Sequence, residues 1–406
     1  MGADFDVLII GGGLVGASLA CALGEQPLRV GVVEAVPLAV TAQPGYDDRA
    51  IALARGTQRI FSTLGIWDRL AVSATPIHRI HVSDRGRFGF AYLDRQEEGV
   101  EALGYVVPAR AIGTALMARL KQQSAVEILC PAQLERLNVT KTGAGIQLSE
   151  NGSSRQVTAR LVVAADGARS AVREQLAMPV DDWNYGQTAV VANLTTQLAN
   201  RNIAFERFTD TGPLAVLPMG EHRCTVVWTI DNDRVAAVLG YSDEEFIAHL
   251  QECFGYRLGR LRKPGTRRAY ELRLVRARHP VQARVALIGN AAHTLHPIAG
   301  QGFNLGVRDV ATLAEVLVDA ARERADIGSD EVLTRYAEWR KRDHTRVIAF
   351  TDGLIRLFTN PLTGVAVARN LGMLGLGCLP PAKRFFSRLA MGQTGKLPRL
   401  SRGLPL

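Results

Sequence analysis

The segment VALIGNAAHTLHPIAGQGFNLGVRD, Val285–Asp309, holds the densest set of residues with chemistry to offer. An apolar run stops at Gly289-Asn290. A polar turn, a Pro297-Ile-Ala-Gly300-Gln301-Gly302 loop and a helix from about Phe303 follow. Gly300 and Gly302 let backbone N–H groups come up to a ligand edge. The helix behind them turns its positive end toward the same edge, where negative charge is favoured. Gln301 and Asn304 offer side-chain or backbone contacts, and Pro297 fixes the chain and presents a carbonyl with no N–H of its own. This composition suits a planar cofactor lying against bare backbone. His293 and His296, spaced i, i+3, also permit a metal reading. No third ligand or supporting carboxylate is evident, so no metal is expected, and His293 is read as a packing and hydrogen-bonding residue.

A second constellation lies at the other end of the chain. Gly11, Gly13 and Gly16 form G-x-G-x-x-G between an apolar strand and a helix. The first glycine permits a tight turn, the second lets backbone approach a pyrophosphate, and the third lets helix and strand pack closely. Glu34 follows 18 residues after Gly16, at the end of the next strand, where a carboxylate can accept hydrogen bonds from a ribose diol. This fingerprint does not by itself choose between NAD and FAD. A third motif, LVVAADGARSAVR (Leu161–Arg173), carries Asp166-Gly167 and Arg173 at the end of another buried strand. Ser170 has no G-x-S-x-G elbow around it and is not read as a nucleophile.

Several elements must position these residues. Asp6–Ile10 reads as a buried parallel strand, Leu14–Leu23 as a helix and Arg29–Glu34 as a second strand, a βαβ opening. Arg49–Leu64 reads as a helix with Arg49 at its start, beside Asp47 and Asp48 as an ion-pair alternative. Ala111–Gln122 reads as a helix that Arg110 introduces, placing Arg110 to meet a pyrophosphate. Val126–Leu129, Ala132–Val139 and Gly145–Leu148 read as a meander. Thr188–Ile230 alternates as a mostly antiparallel sheet. Helices are expected over Asp243–Phe254, Phe303–Arg324 and Ser329–Leu357.

The chain has 406 residues, 47% hydrophobic and 21% charged, enough for one or two substantial cores. The net charge of +9 favours an acidic partner or surface. No basic run is interleaved with aromatics, which excludes single-strand nucleic-acid binding; an anionic membrane face fits better. Five scattered cysteines without C-x-x-C spacing suit a reducing, cytoplasmic compartment. Phe5–Leu23 is apolar, but its Asp6 and four glycines mark a strand and helix rather than a targeting or spanning segment. From Arg340 to Arg402 twelve basic residues face only Asp343 and Asp352, with apolar residues between them, so a membrane-associated surface near a site for a long apolar tail is expected there.

Taken together, the three motifs resemble, in order and spacing over nearly the whole chain, the single-component aromatic-ring hydroxylases, FAD enzymes with the p-hydroxybenzoate hydroxylase fold. The segments DDRAIALARGT, HVSDRG, FERFTDTGPLAVLPM and GNAAHTLHPIAGQGFNLGVRD narrow the resemblance to the ubiquinone-biosynthesis branch. Asn290, His296 and HVSDRG point within it to the members acting on 2-polyprenyl-6-methoxyphenol. Where this chain has Gly289-Asn290, other ring hydroxylases of the branch carry Gly-Asp. Asn offers a carbonyl acceptor but no charge.

The resemblance implies an α/β fold: a Rossmann-like FAD-binding domain (1–75, 102–178 and 280–350), an inserted, mainly antiparallel β-sheet substrate domain (76–101 and 179–279), and a C-terminal helical region (351–406). It implies FAD, NAD(P)H as reductant and O2 as co-substrate. FAD contacts are expected from Gly11, Gly13, Gly16, Glu34, Arg49, Arg110, Asp166, Gly167, Arg173, Gly289, Asn290, Pro297, Gly300, Gln301, Gly302 and Asn304. Arg49, His296 and Pro297 are expected at the catalytic end, with Pro297 beside the reactive face of the flavin. A prenylated phenol is the implied substrate, and a ubiquinone-biosynthesis protein complex and the inner face of a membrane are further expected partners. Rival readings are a sister hydroxylase acting at another ring carbon, a flavin-dependent prenyl reductase, and a non-catalytic flavin scaffold. No residue is compelled to be a general base; a tyrosine, a histidine or water could serve.

Overall fold

The computed structural model describes residues 3–37, 49–360 and 362–406. It opens with β1 (Phe5–Ile10), α1 (Leu14–Leu23) and β2 (Val30–Val33). Next come β3 (Ala50–Ala54), α2 (Arg55–Thr63), α3 (Trp67–Ala71), β4 (Thr75–Ile77), β5 (Arg79–Asp84), β6 (Phe90–Asp94) and β7 (Gly104–Pro108). α4 (Ala109–Leu120), β8 (Val126–Leu129), β9 (Ala132–Val139), β10 (Ala144–Glu150), β11 (Ser153–Ala164) and α5 (Ala171–Gln175) follow. The middle of the chain is β12 (Val180–Thr196), β13 (Ile203–Thr209), β14 (Gly212–Pro218), β15 (Arg223–Asp231), α6 (Val235–Gly240), α7 (Asp243–Phe254), β16 (Leu261–Arg262) and β17 (Arg268–Ala277). Short strands β18 (Val281–Gln282), β19 (Val285–Leu287) and β20 (His293–Thr294) lead to α8 (Gln301–Arg322), α9 (Asp330–Phe358), α10 (Thr363–Cys378) and α11 (Pro380–Ala390).

The first sheet runs β18-β19-β11-β1-β2-β8, with β19, β11, β1, β2 and β8 parallel. Its central strand FDVLII is apolar on both faces because helices cover one side and the β9–β11 layer the other. Helices α1, α4 and α8 share one apolar cluster with Val7, Ile9 and Leu161. Leu8, Ile10 and Val162 point the other way, into a cluster with Ile146, Leu148 and Val172. The second sheet runs β20-β17-β12-β15-β14-β13-β5-β6 and is antiparallel except where β13 meets β5. Its outer face packs on α7 through Val190, Val226, Trp228, Phe246 and Leu250. The capping box of Ser242 and Glu245 starts α7, and Gly255 at φ 83° ends it. A third, small sheet, β3-β7-β4, lies beside them.

Two sequence expectations change. Arg49 does not start a helix: it leads into β3, and the helix begins at Arg55. The run Ala-Ile-Ala-Leu-Ala carries no periodicity that separates helix from strand, and its pairing with β7 decides the matter. The Asp47 and Asp48 alternative for Arg49 falls outside the described residues. β8 is not part of a meander but the parallel neighbour of β2. The helix expected over Ser329–Leu357 is present as α9, Asp330–Phe358, and the last two helices follow it. Among the described residues no helix is long and apolar enough to cross a membrane.

Candidate functional site

The βα turn after β1 forms one end of a cradle. Gly11 has φ +103°, and a Cβ there would lie 2.6 Å from the Ala165 carbonyl oxygen. A Cβ at Gly16 would lie 1.9 Å from the Gly11 oxygen, so only glycine lets α1 pack this closely. Gly13, the N-cap, has nothing within 4 Å of its missing side chain, and no side chain caps or acidifies this helix start. Its N–H groups therefore remain available to an anion. Glu34 is buried; its carboxylate accepts from the N–H groups of Gly12 (2.8 Å) and Val36 (2.8 Å), which fixes it at the end of β2 with lone pairs left over.

Asp166-Gly167 sits at the end of β11, next to β1. Gly167 has φ +83° and faces open space. Asp166 Oδ2 accepts from the Val172 N–H at 3.2 Å, whereas Oδ1 is buried with no partner among the described residues. Ser170 caps α5 by accepting from the Arg173 N–H. The Arg173 guanidinium donates to the Ala291 carbonyl (2.8 Å) and the Ala168 carbonyl (2.6 Å). It ties the Asp-Gly loop to the Gly289 turn, a bracing role that the motif spacing did not reveal. Gly289, at φ +57°, packs on Val15, and Gly306 of α8 packs on both, so this turn is clamped between α1 and α8. The side chain of Asn290 is exposed beside it. Arg110 is exposed at the start of α4, as the sequence indicated.

The Pro297 loop forms the other end. Ala299 (φ 55°) and Gly300 (φ 61°) are both left-handed, an unusual pair that reverses the chain just before α8. Gly302 has open space where a side chain would be, and α8 starts without a side-chain cap or an acidic residue. Asn304 differs from its expected role. Its Oδ1 accepts from Ala54 N–H (2.8 Å) and the Thr57 hydroxyl (2.7 Å), and its Nδ2 donates to Ala52 (2.8 Å) and Gly300 (2.7 Å) carbonyls. These bonds dedicate it to fastening β3 to the loop, not to a ligand. Gln301 donates to the Ala299 carbonyl at 3.1 Å and leaves a buried Oε1 unpartnered. His296 is buried; its Nδ1 accepts from the Ile298 N–H at 3.3 Å, so Nε2 carries the proton, and it has no partner among the described residues. Burial pulls its pKa down to about 4, so the ring is neutral at pH 7. Tyr185 meets it edge-on at 5.4 Å between ring centres. Arg49 lies over the Tyr270 ring at 4.7 Å.

Beneath the loop lies a buried charge cluster. Asp309 Oδ2 accepts from His293 Nε2 (2.7 Å) and the Gly289 N–H (3.1 Å); Oδ1 accepts from Arg340 Nε (2.7 Å) and His344 Nε2 (2.7 Å). Burial pushes the Asp309 pKa up, but His344, His293 and Arg340 outweigh it and hold the carboxyl well below the usual range. His293, Asp309 and His344 are close enough together to suggest a metal centre. Both imidazoles, however, spend Nε2–H on the carboxylate, and the Arg340 guanidinium fills the remaining side. The cluster is a hydrogen-bond hub holding the Gly289 turn to α8 and α9. His296 takes no part in it.

The loop faces the inner side of the second sheet. One register row across that sheet runs Val82–Glu206–Ala215–Val227–Val191. Each of these residues keeps partial exposure while its strand neighbours Phe205, Leu214, Val226 and Val190 are buried on the α7 side. At one end the floor is closed by Phe208 stacked on Phe358 (3.5 Å between centres), with Ile298, Ile355 and Met373. Glu206, Asp309, His344 and Tyr185 were not picked out from sequence. Glu206 had a signal: in the β pattern of Ala204-Phe-Glu-Arg-Phe208 it is the acid between two inward residues.

These parts fit a dinucleotide bearing a planar ring. Among the described residues, Gly13, Gly167 and Gly302 have no atom within 4 Å of a missing side chain, two helix starts are uncapped, and Asp166 Oδ1 and Gln301 Oε1 are buried acceptors without a donor. Residues 4–351 match the family model described as FAD binding domain. The chain is 42% identical over 405 residues to ubiquinone hydroxylase UbiL of Rhodospirillum rubrum, covering 99% of this chain and 93% of that one. It is 29% identical to the human mitochondrial ubiquinone biosynthesis monooxygenase COQ6, over 93% of this chain and 91% of that one. Its fold is similar to that of p-nitrophenol 4-monooxygenase PnpA from Pseudomonas putida (TM-score 0.80, 20% identity, 97% of this chain and 99% of that one).

Proposed function

The chain belongs to the FAD binding domain family and is an FAD-dependent monooxygenase, and from that premise we propose that it hydroxylates the ring of a polyprenylated phenol in ubiquinone biosynthesis, with 2-polyprenyl-6-methoxyphenol as substrate. The observation that carries this reading is the seam between the Pro297 loop and the Val82–Val191 row, a largely apolar floor ended by the stacked Phe208 and Phe358. A planar, apolar ring suits such a floor, and the few polar groups that converge on it fix its orientation.

When bound, FAD reduced by NAD(P)H supplies oxygen activated for transfer to an electron-rich ring. The uncapped start of α8, with Gly300 and Gly302, offers backbone N–H groups and a partial positive charge to a ring system that turns anionic on reduction. The α1 start and the carboxylate of Glu34 suit the pyrophosphate and a ribose. Pro297 stiffens the loop, and neutral His296 holds a proton on Nε2, available to a ring oxygen. Arg49 and Tyr270 form a stacked pair at the near edge.

The tail of the substrate needs an apolar route. Val367, Leu371 and Leu374 of α10 are exposed, with Leu379 and Phe385 beyond them and basic Arg384 and Arg388 near. This surface suits the anionic inner face of a membrane, where a long prenyl chain resides; docking within a biosynthetic complex is a further part of the proposal. The names of the relatives give no ring position, so hydroxylation at another ring carbon is the second reading. The test is oxygen-dependent conversion of a short-chain 2-prenyl-6-methoxyphenol by the yellow, FAD-loaded protein, with the product's ring position read by NMR. A product hydroxylated elsewhere selects the sister activity, and NAD(P)H oxidation without any ring product overturns both.

A further inference from the structure

We propose that Glu206 is a catalytic residue of this site, the group that takes the phenolic proton of the substrate as the ring is oxidised. The inference rests on the reading of a phenol as substrate and adds to it the base that the sequence did not identify.

Glu206 is the only ionisable residue in the Val82–Glu206–Ala215–Val227–Val191 row. The neighbours on its own strand and face are Ala204, in an apolar cluster with Ile77 and Val106, and Phe208, which closes the floor. Its Oε1 is buried with no hydrogen-bond partner among the described residues. The backbone N–H of Ala299, in the left-handed turn before α8, faces the carboxyl group and favours its charged form. The carboxyl thus stands across the seam from the loop on which the flavin ring would lie. A half-buried acid with one oxygen shut off from water and unused is costly unless something meets it there.

The other charged groups of the elements packed against it are engaged elsewhere. Asp84 of β5 is bonded to Arg369 (2.9 Å) and Asn370 (3.1 Å) of α10. Asp352 of α9 is bonded to Arg356 (2.8 Å) and accepts weakly from the Tyr185 hydroxyl (3.4 Å). Arg207 points to the opposite side of β13, onto the Cys253 carbonyl. The loop contributes His296, which is neutral. Burial raises Glu206 to about 7, with the Ala299 N–H pulling the other way. That is the range in which a carboxylate both exists and holds a proton well.

The step balances within the site. The O–H bond of the phenol breaks, its proton passes to the carboxylate, and the electron pair stays on the ring oxygen, where it raises the nucleophilicity of the ring carbon that is attacked. After oxygen transfer the C–H bond of the attacked carbon breaks, its proton is taken up with the second oxygen atom of O2, which leaves as water, and the ring regains aromaticity; the carboxyl proton returns to the ring oxygen and the carboxylate is restored. O2 is the oxidant, and the reduced cofactor of the established activity supplies the two electrons that take its second oxygen atom to water.

The test compares FAD-loaded wild type, Glu206→Gln and Glu206→Asp. Glutamine keeps an acceptor for Ala299, so a merely structural role would survive it. With a short-chain 2-prenyl-6-methoxyphenol, wild-type kcat/KM should rise through an acid limb near about 7. Glu206→Gln should lose that limb and fall about 10²-fold, and Glu206→Asp should restore it in part. As a readout independent of turnover, 4-nitro-2-methoxyphenol is titrated against each protein, and its visible phenolate band should rise in two coupled steps with wild type, where the phenol and the carboxyl share a proton, and in a single step with Glu206→Gln. Unchanged FAD content shows that the variant folds. A Glu206→Gln enzyme with the wild-type limb, rate and phenolate titration overturns the proposal while leaving the phenol hydroxylase reading intact. A wild type that converts no phenol removes that reading and the proposal with it.

Discussion

Replacing Asp309 by Asn should loosen the floor of the flavin site from beneath. The aspartate accepts four hydrogen bonds, from Gly289, His293, Arg340 and His344. Asparagine keeps the shape, but one of its two oxygens becomes an NH2 donor, so two of those four donors then face a donor. A buried donor left without an acceptor costs about 1–3 kcal/mol, and breaking a buried charged pair costs about 3–5 kcal/mol. A loss of roughly 4 kcal/mol follows. With an unfolding entropy of roughly 2.1 cal/mol/K per residue, the whole chain carries about 0.85 kcal/mol/K, so the melting temperature should drop by about 5 °C. Asp309 is held below its ordinary pKa, so its contribution is present above the unfolded value and lost only as pH falls through the depressed one. The deficit should therefore be the same at pH 6 and pH 8. Because Gly289 loses its anchor, FAD affinity should fall as well, read by fluorescence titration of the stripped protein. A variant that melts within about 1 °C of wild type and binds FAD unchanged would refute the hub.

His81, His296 and His344 are all pulled down by burial to about 4. Between pH 6.5 and 4 the unfolded chain binds protons that the fold refuses, so stability should fall steadily over that window, by up to about 3 kcal/mol per histidine; urea midpoints at pH 7.5, 6 and 4.5 that do not decline would contradict this. Gly302→Val fills space that no atom of the described residues occupies, so it should leave the melting temperature of the flavin-free protein unchanged and cut FAD binding. Gly16→Ala, driven into the Gly11 carbonyl, should damage both by at least about 1–3 kcal/mol, and equal behaviour of the two variants in paired melting and FAD titrations would be the wrong result. Leu371→Asp with Leu374→Asp on exposed α10 should reduce sedimentation with anionic liposomes at unchanged FAD content; undiminished sedimentation would remove the membrane proposal.

The parts of the site that depend on local backbone were legible in the sequence. A left-handed or crowded backbone position favours glycine, so Gly11, Gly16, Gly289 and Gly300 mark their turns and close approaches without tertiary knowledge. Glu34 was legible for a similar reason, since its place at the strand end follows from the βαβ spacing. What depends on distant pairing was not. Ala50–Ala54 is a strand because β7 lies beside it and Asn304, 250 residues away, bonds Ala54. Asp309 closes the same segment as His293, but they meet only because α8 folds back under the Gly289 turn, and His344 joins them only because α9 packs on α8, so the spacing of the motif did not reveal the cluster. Glu206 stood in plain view, but its significance lies in which sheet face opens on the loop, and that is set by five strands in register.

The two-residue strand β20 has a bearing on modularity. His293 and Thr294 pair through their backbone with Arg276 and Val275 of the second sheet, while the His293 side chain is bonded to Asp309 in the helical layer of the first. One residue is thus stitched into both halves. The substrate sheet cannot be exchanged between homologues as a cassette cut at its sequence boundaries. A chimera that takes residues 179–279 from a relative must carry a compatible partner for 293–294, or it will misplace the Pro297 loop it was meant to serve.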